Sequence, residues 1–298
     1  MPASGGWALT RASAYSTKVA VVARGVVRRG VIHSVFPAAA NILFPGDFVL
    51  SLNAITSPRM PNGLQLSTPS GTFPFSALHA GMPVLFGAQR LLIEAVNCSL
   101  DLSYCSEWNP HIERPTELDM KIVTRNKELL LKHALDLQLF WDQPECNVRL
   151  MAQYLCGRGV GLTPTGDDIL AGWMAINRLL HGPVPGFLKA CQEIVLVAKQ
   201  QTHLLSQCWL SYAATGDVAM PVKALLDALT KEDDAQLAAS IEVVLSMGAT
   251  SGRDLIQGIV SGLPNLTQYP AHIKTHPLPL ASLHKYLLYD ILNRPGGV

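Results

Sequence analysis

The residues best suited to chemistry in this chain cluster in Gly157-Arg158-Gly159-Val160-Gly161-Leu162-Thr163-Pro164-Thr165-Gly166-Asp167-Asp168. The glycines at 157, 159, 161 and 166 permit positive φ and let backbone approach a ligand closely. An apolar run, Ile169-Leu170-Ala171-Gly172-Trp173-Met174, follows at once. The turn therefore reads as a helix start, with Thr165 or Asp167 as its cap. The first amides of a helix, with the positive end of its dipole, hold phosphate or carboxylate well. Gly161, Thr163, Thr165 and Gly166 are thus candidate binding residues for a small anion. Asp167 and Asp168 are candidate catalytic carboxylates, adjacent where Mg2+ or a substrate amide could be held. The Gly-Lys-[Ser/Thr] ending of a Walker A loop is missing, and the preceding segment reads as a helix, which excludes a Rossmann fingerprint.

The motif has an echo. Thr165-Gly166-Asp167-Asp168-Ile169-Leu170-Ala171-Gly172 matches Ser251-Gly252-Arg253-Asp254-Leu255-Ile256-Gln257-Gly258, 86 residues later. Both read hydroxyl, Gly, any residue, Asp, two aliphatics, any residue, Gly. Each would open a helix whose second glycine allows close helix approach. The expectation is that the two starts face one shared ligand site. Thr250, Ser251, Gly252, Arg253 and Asp254 then join the binding set, Arg253 as a fork for phosphate or carboxylate. The alternative is two small-residue helix contacts that only pack.

Three further candidates lie on a predicted long helix, Phe187–Ala214. Thr202 and Ser206 stand one turn apart on one face and are candidate binding residues, although such hydroxyls often bond back to their own helix. His203 is a candidate acid or base, or a solvated helix histidine. His33-Ser34 and Asn41 could line a cleft between domains, and His276-Pro277-Leu278-Pro279 reads as a loop. The histidines show no metal-ligand spacing, and Gly-x-Ser-x-Gly is absent.

The elements that must position these residues fall into two textures. Residues 1–112 read as a β-rich domain: Val19–Val35, Phe48–Leu52, Leu64–Leu66, Met82–Phe86 and Leu91–Val96 are strand-like. Pro45–Asp47, Asn62-Gly63 and Gly87–Arg90 read as turns, the last two as hairpins. An antiparallel barrel or sandwich is expected. Beyond Asn109-Pro110 and Arg114-Pro115, residues 113–298 read as a mainly α-helical domain. The helices expected there are Lys127–Trp141, Val148–Leu155, Asp168–Leu180, Phe187–Ala214, Val222–Leu229, Asp234–Met247, Arg253–Ser261 and Leu280–Leu292. The fold class is α+β.

Composition narrows the partners. A net charge of +1 argues against nucleic acid, since phosphate binding needs a clustered basic surface. The one basic cluster, Arg24, Arg28 and Arg29, alternates with valines and reads as an exposed strand face. Only 15% of residues are charged while 49% are hydrophobic, which suits a chain that associates with other subunits and equally one with a large monomeric core. The six cysteines show no framework spacing and read as buried and reduced, and there is no signal-like or membrane-length apolar run. A cytoplasmic protein is expected.

At Gly157–Asp168 and Gly248–Gly258 the chain resembles a bacterial family that includes the AllH-type subunit of oxamate carbamoyltransferase, from anaerobic allantoin catabolism. Its signatures are G-x-G-x-G-L-T-P-[ST]-G-D-D and a later G-[AH]-T-S-G-x-D-x-[LI]-x-G. Thr202-x-x-x-Ser206 and Val31-Ile32-His33-Ser34-Val35-Phe36 also look like family features. The resemblance implies transfer of a carbamoyl group between oxalurate and phosphate, giving oxamate and carbamoyl phosphate, and it implies two partner subunits. These substrates are all small anions, which is compatible with the site read from the glycine loops. The Ser-Thr-Arg-Thr loop of aspartate and ornithine carbamoyltransferases is missing. Two other readings stay open: a non-catalytic scaffold subunit, and a stand-alone acyl or phosphoryl enzyme using Asp167 and Asp168 with Mg2+.

Overall fold

A computed structural model describes residues 10–68, 75–134 and 148–263. The first part forms one nine-stranded, curled sheet in the order β8-β7-β6-β2-β3-β4-β5-β1-β9. Its strands are β1 (Arg11–Ser16), β2 (Arg28–Phe36), β3 (Ala39–Phe44), β4 (Phe48–Ala54), β5 (Gly63–Ser67), β6 (Pro83–Gly87), β7 (Arg90–Ile93), β8 (Cys98–Asp101) and β9 (Ser106–Trp108). Ile32, Ile42, Phe44, Leu50, Leu52, Leu64, Phe86 and Leu91 point into one apolar core. The expected turns at Pro45–Asp47 and Gly87–Arg90 join antiparallel neighbours. In the second, Ala88 and Gln89 both take positive φ, as a two-residue hairpin on twisted strands requires.

Two expectations fail here for tertiary reasons. Asn62-Gly63 is not a hairpin turn, because β5 runs parallel to β4, pairing Ser51 with Gly63. Gly63 is instead needed for closeness: a Cβ there would lie 2.9 Å from the Met60 carbonyl oxygen. The start of the valine-rich run is helical, forming α1 (Thr17–Ala23). Ser16 caps it by accepting the Val19 amide at 3.1 Å, an arrangement that contributes about 1 kcal/mol. Val19, Ala20 and Ala23 then face the core. Arg24, Arg28 and Arg29 are exposed, as read, and Arg24 pairs with Glu107.

The second part is helical: α2 (Met120–Leu131), α3 (Val148–Leu155), α4 (Thr165–His181), α5 (Pro185–Gln201), α6 (Leu204–Thr215), α7 (Met220–Leu229), α8 (Asp234–Leu245) and α9 (Ser251–Gly262). Helix α2 begins before the expected Lys127, with Asp119 as its N-cap. The stretch 135–141 and the expected helix Leu280–Leu292 lie outside the described residues, as does the loop at 276–279. The largest departure is the long helix Phe187–Ala214, which is broken into α5 and α6 at Thr202-His203. Helix α4 lies at the centre, with a mostly buried sequence from Thr165 to Leu180.

A polar joint ties the sheet side to the helices. Buried Asp217 accepts hydrogen bonds from Lys18 Nζ at 2.9 Å and Thr215 Oγ1 at 2.7 Å. His111 Nδ1 lies 3.1 Å from the same carboxylate, while Arg178 Nη2 lies 3.0 Å from His111 Nε2. A guanidinium only donates, so Nε2 accepts and Nδ1 carries the proton that points at Asp217. Strand pairing closes in the same place, where His111 bridges Asp217 and Ile112 donates to the Gly216 carbonyl. No spacing in the sequence announced this cluster.

Candidate functional site

The first glycine loop connects α3 to α4 and is shaped by contacts that exclude a side chain. Gly157 has φ +72°, and a Cβ there would lie 2.1 Å from the Gln201 carbonyl oxygen at the end of α5. Gly159 and Gly161 also take positive φ, and Val160 between them is 78% exposed at the loop tip. Asp167 holds the loop from inside. Its Oδ1 accepts the Gly157 amide at 2.9 Å, and its Oδ2 accepts the Thr202 hydroxyl. That bond explains the break between α5 and α6, because Thr202 leaves helical geometry at φ −128° to reach Asp167. Ser206, buried on α6, donates to the Leu162 carbonyl at 3.2 Å. Burial pushes the Asp167 carboxyl up, against these hydrogen bonds and nearby His203.

The two glycine loops meet. Thr163 Oγ1 lies 3.1 Å from Ser251 Oγ, joining the first loop to the first residue of α9. Helices α4 and α9 pack through reciprocal glycine contacts. A Cβ on Gly172 would lie 2.1 Å from the Leu255 carbonyl oxygen, and one on Gly258 would lie 2.0 Å from that of Ile169. Gly172 and Gly258 are equivalent in the echo, as are Ile169 and Leu255, so the crossing has an approximate twofold relation. The leading glycines repeat it: a Cβ on Gly166 would strike the Leu155 carbonyl of α3, and one on Gly252 the Val244 carbonyl of α8.

This crossing brings Asp168 of α4 near Asp254 of α9. Asp254 is buried, and its charge raises the Asp168 carboxyl. Burial is the larger cause, and together they push Asp168 well above the usual carboxylate range, against the Ser251 and Thr163 hydroxyls. Asp168 as a whole is half-buried, but its Oδ2 is shut off from solvent and meets no hydrogen-bond donor among the described residues. An acceptor sealed from water without a donor is a costly arrangement that stability alone does not favour.

The cap and the amides differ from the sequence expectation. Pro164 occupies the N-cap of α4, so neither Thr165 nor Asp167 caps it. The Gly166 amide donates to the Arg158 carbonyl, and those of Asp167 and Asp168 to Pro164. These donors are spent within the turn because the chain folds back tightly on itself. At α9 the Gly252 amide similarly donates to Met247. The polar side chains gathered beside these turns are those of Thr163, Ser251, Asp168 and Asp254. Thr165 is buried at the start of α4, Thr250 is half-buried at the N-cap of α9, and Gly161 is exposed at the tip. Arg253 and His203 are exposed, Arg253 making no salt bridge among the described residues.

Arg158 is a loop cation that the sequence reading passed over. It stacks 4.7 Å above the Tyr154 ring, and its Nε is buried without an acceptor among the described residues. Its place between two glycines was the available signal. Thiol nucleophiles are disfavoured: burial pushes Cys98, Cys156, Cys191 and Cys208 up to about 12, and the described cysteines are free of disulfides. Asn41 donates to Ser34 Oγ within the sheet, and His33 is exposed. Among the described residues no group of three or more His, Cys, Asp or Glu is placed to hold a metal ion, and no helix is long and apolar enough to cross a membrane.

Comparison with known proteins accounts for both parts of the fold. No solved structure matches the chain. Residues 11–107, which contain the curled sheet, match the family model described as the AllH family N-terminal domain. Residues 155–263 match the model described as oxamate carbamoyltransferase subunit AllH, a span running from the end of α3 through both glycine loops to the end of α9. The chain belongs to the AllH family of oxamate carbamoyltransferase subunits.

Proposed function

We propose that this chain provides a small-molecule site in an oxamate carbamoyltransferase-type complex of anaerobic allantoin degradation, working in the cytoplasm with two other subunits. The reaction is phosphorolysis of oxalurate. A phosphate oxygen attacks the carbamoyl carbon, the C–N bond to oxamate breaks, and the departing nitrogen takes a proton. Carbamoyl phosphate and oxamate result. The observation that carries this reading is the contact of Thr163 with Ser251, which joins two loops that are far apart in sequence beside half-buried Asp168 and buried Asp254.

Substrate lies against the hydroxyls of Thr163 and Ser251, with Gly161, Thr165, Gly166, Thr250 and Gly252 shaping the loops. Arg253 supplies a cation at the rim for a phosphate or carboxylate end. Asp168, which burial favours in its protonated form, is the group best suited to exchange a proton with the departing nitrogen. Asp167, Thr202 and Ser206 position the loop, and exposed His203 stands beside Asp167 at its edge. Asp168 and Asp254 with the hydroxyls are the oxygen ligands Mg2+ would use, completed by substrate or water.

The test is carbamoyl transfer by the complex reconstituted from all its subunits. Asp168→Ala and Arg253→Ala are each expected to abolish turnover while the fold is retained. Wild-type-like turnover in either variant sinks the shared-site reading. Calorimetry of the full chain with oxamate, carbamoyl phosphate and Mg2+ separates the alternatives. No heat with any of them favours a scaffold subunit, and binding that requires Mg2+ favours a metal-dependent acyl or phosphoryl enzyme.

A further inference from the structure

At one end of the curled sheet three connections meet. They are the exit of α1 at Arg24–Val27, the hairpin at Gly87–Arg90 and the turn between β8 and β9 at Leu102–Cys105. Backbone bonds fix them against one another. The Ala88 amide donates to the Gly25 carbonyl at 2.8 Å, that of Gln89 to the Ala23 carbonyl at 2.7 Å, and that of Leu102 to the Gln89 carbonyl at 2.9 Å. A Cβ on Gly87 would lie 2.4 Å from the Val26 carbonyl oxygen, so the first two connections are in direct contact. The Arg24 pair with Glu107 ties the same end to β9. On this rigid frame Val26, Val27 and Tyr104 are 77%, 54% and 92% exposed, and Val21, one helical turn before Gly25, is 72% exposed. Single exposed valines are ordinary, but large apolar side chains gathered on touching turns mark an interaction site. Arginines stand among them. Arg24, Arg28, Arg29 and Arg90 are all exposed. Glu107 answers Arg24 and Asp101 is near Arg90, whereas Arg28 and Arg29 make no salt bridge among the described residues.

We propose that this end of the sheet docks another subunit of the carbamoyltransferase complex. That subunit would meet Val26, Val27 and Tyr104 with apolar side chains, and Arg28 and Arg29 with carboxylates. The inference rests on the proposed function, which places the chain in such a complex. Aromatic and aliphatic groups with arginine, and no lysine in the three connections, are the composition of an interface centre. Charge decides against a second copy of this chain as the occupant. A twofold contact sets one patch against itself and would bring Arg28 and Arg29 against their own counterparts. An acidic partner neutralises them instead. The patch shares no residue with either glycine loop, so assembly and ligand binding can be measured apart.

Amide hydrogen exchange of the full chain, alone and with the other subunits of its complex, tests this without a variant. Residues 21–29 and 101–105 are expected to exchange at least about tenfold more slowly in the complex. Two double variants then divide the apolar from the charged part. Val26→Asp with Tyr104→Ser, and Arg28→Glu with Arg29→Glu, are each expected to weaken assembly at least about thirtyfold. Their urea unfolding, and the binding of oxamate and carbamoyl phosphate by the isolated chain, should match wild type, because the four side chains are exposed. Added salt is expected to slow wild-type association at least about threefold. A complex that forms without protection at these residues overturns the inference and leaves the proposed function standing, as does wild-type assembly by either variant. Self-association of the wild-type chain that Val26→Asp abolishes also overturns it, since the occupant would be a second copy. Binding of a single-stranded RNA oligomer that Arg28→Glu with Arg29→Glu abolishes, while assembly survives, overturns it too. If the wild-type chain forms no complex with these subunits, the proposed function falls first and the inference with it.

Discussion

The starts of α4 and α9 carry one sequence pattern and put it to two uses. At the position after each leading glycine, α4 has Asp167 and α9 has Arg253. Asp167 is buried and locks the loop through Gly157 and Thr202, whereas Arg253 is exposed. One position further on, the copies agree again, with Asp168 and Asp254 near enough for the charge of Asp254 to raise the Asp168 carboxyl. Of the shared glycines, Gly172 and Gly258 meet the other helix, while Gly166 and Gly252 pack against α3 and α8. The differing residue is the one that faces each copy's own surroundings.

This contrast can be broken in stages. The largest effect belongs to the reciprocal glycines. Gly172→Ala and Gly258→Ala each force a methyl within 2.1 Å or 2.0 Å of a carbonyl oxygen. Each is expected to cost about 3 kcal/mol or more in urea unfolding, with similar values for the two. Tolerance of one but not the other would end the twofold description. Next comes the position at which the copies differ. Asp167→Ala leaves the Gly157 amide and Thr202 hydroxyl without their acceptor, a loss of about 2 kcal/mol. Arg253→Ala should change stability by no more than about 0.5 kcal/mol. Equal losses at the two would contradict the assignment of one as a lock and the other as a surface group.

A third prediction concerns pH. In the folded chain Asp168 keeps its proton well above the ordinary aspartate value of 3.8, so the folded state binds this proton more tightly than the unfolded state. Wild-type stability therefore falls as pH rises from that value through the folded-state titration, and then levels. Asp168→Asn lacks this loss. Its advantage over wild type should be smallest in acid, grow as pH rises and reach a plateau above the folded-state titration. Thermal or urea unfolding across pH reads this directly, and an advantage that is largest in acid would reverse the sign. The smallest effect is at Ser251→Ala, which removes the hydroxyl contact to Thr163. About 0.5–1 kcal/mol is expected from one such bond, together with a more protected proton on Asp168. Titration of the Asp168 carboxyl by NMR checks the second part.

Much of this site could be read before the fold was known, because its parts are local. The glycine pattern, the helix starts and the eight-residue echo are all written in short stretches of chain. The breaking of the predicted long helix was not readable. Gln201-Thr202-His203 contains neither glycine nor proline, and the hydroxyl that ends α5 answers to Asp167, which is distant in sequence. The cap of α4 was misread for a similar reason, since Asp167 was drawn inward to Gly157 and its place as cap fell to Pro164. The β-rich part was legible as strands and tight turns, but not in order. Parallel pairing of β4 with β5 and of β1 with β9 depends on partners that no turn residue specifies. The joint of Lys18, His111, Arg178 and Asp217 gathers residues from four separate places and left no pattern at all.

By itself, the sequence determined where helices could start, which residues could bear close approach, and that one motif occurs twice. Those properties depend on φ, on the absence of a Cβ and on hydrophobic spacing, all set within a few residues. Only the tertiary structure decided that the two copies cross face to face, that Asp167 supports the loop while Arg253 meets solvent, and that one oxygen of Asp168 is sealed off near Asp254. Burial and hydrogen-bond partners are properties of what packs around a residue. A carboxylate becomes a lock, a proton carrier or a surface charge according to those neighbours.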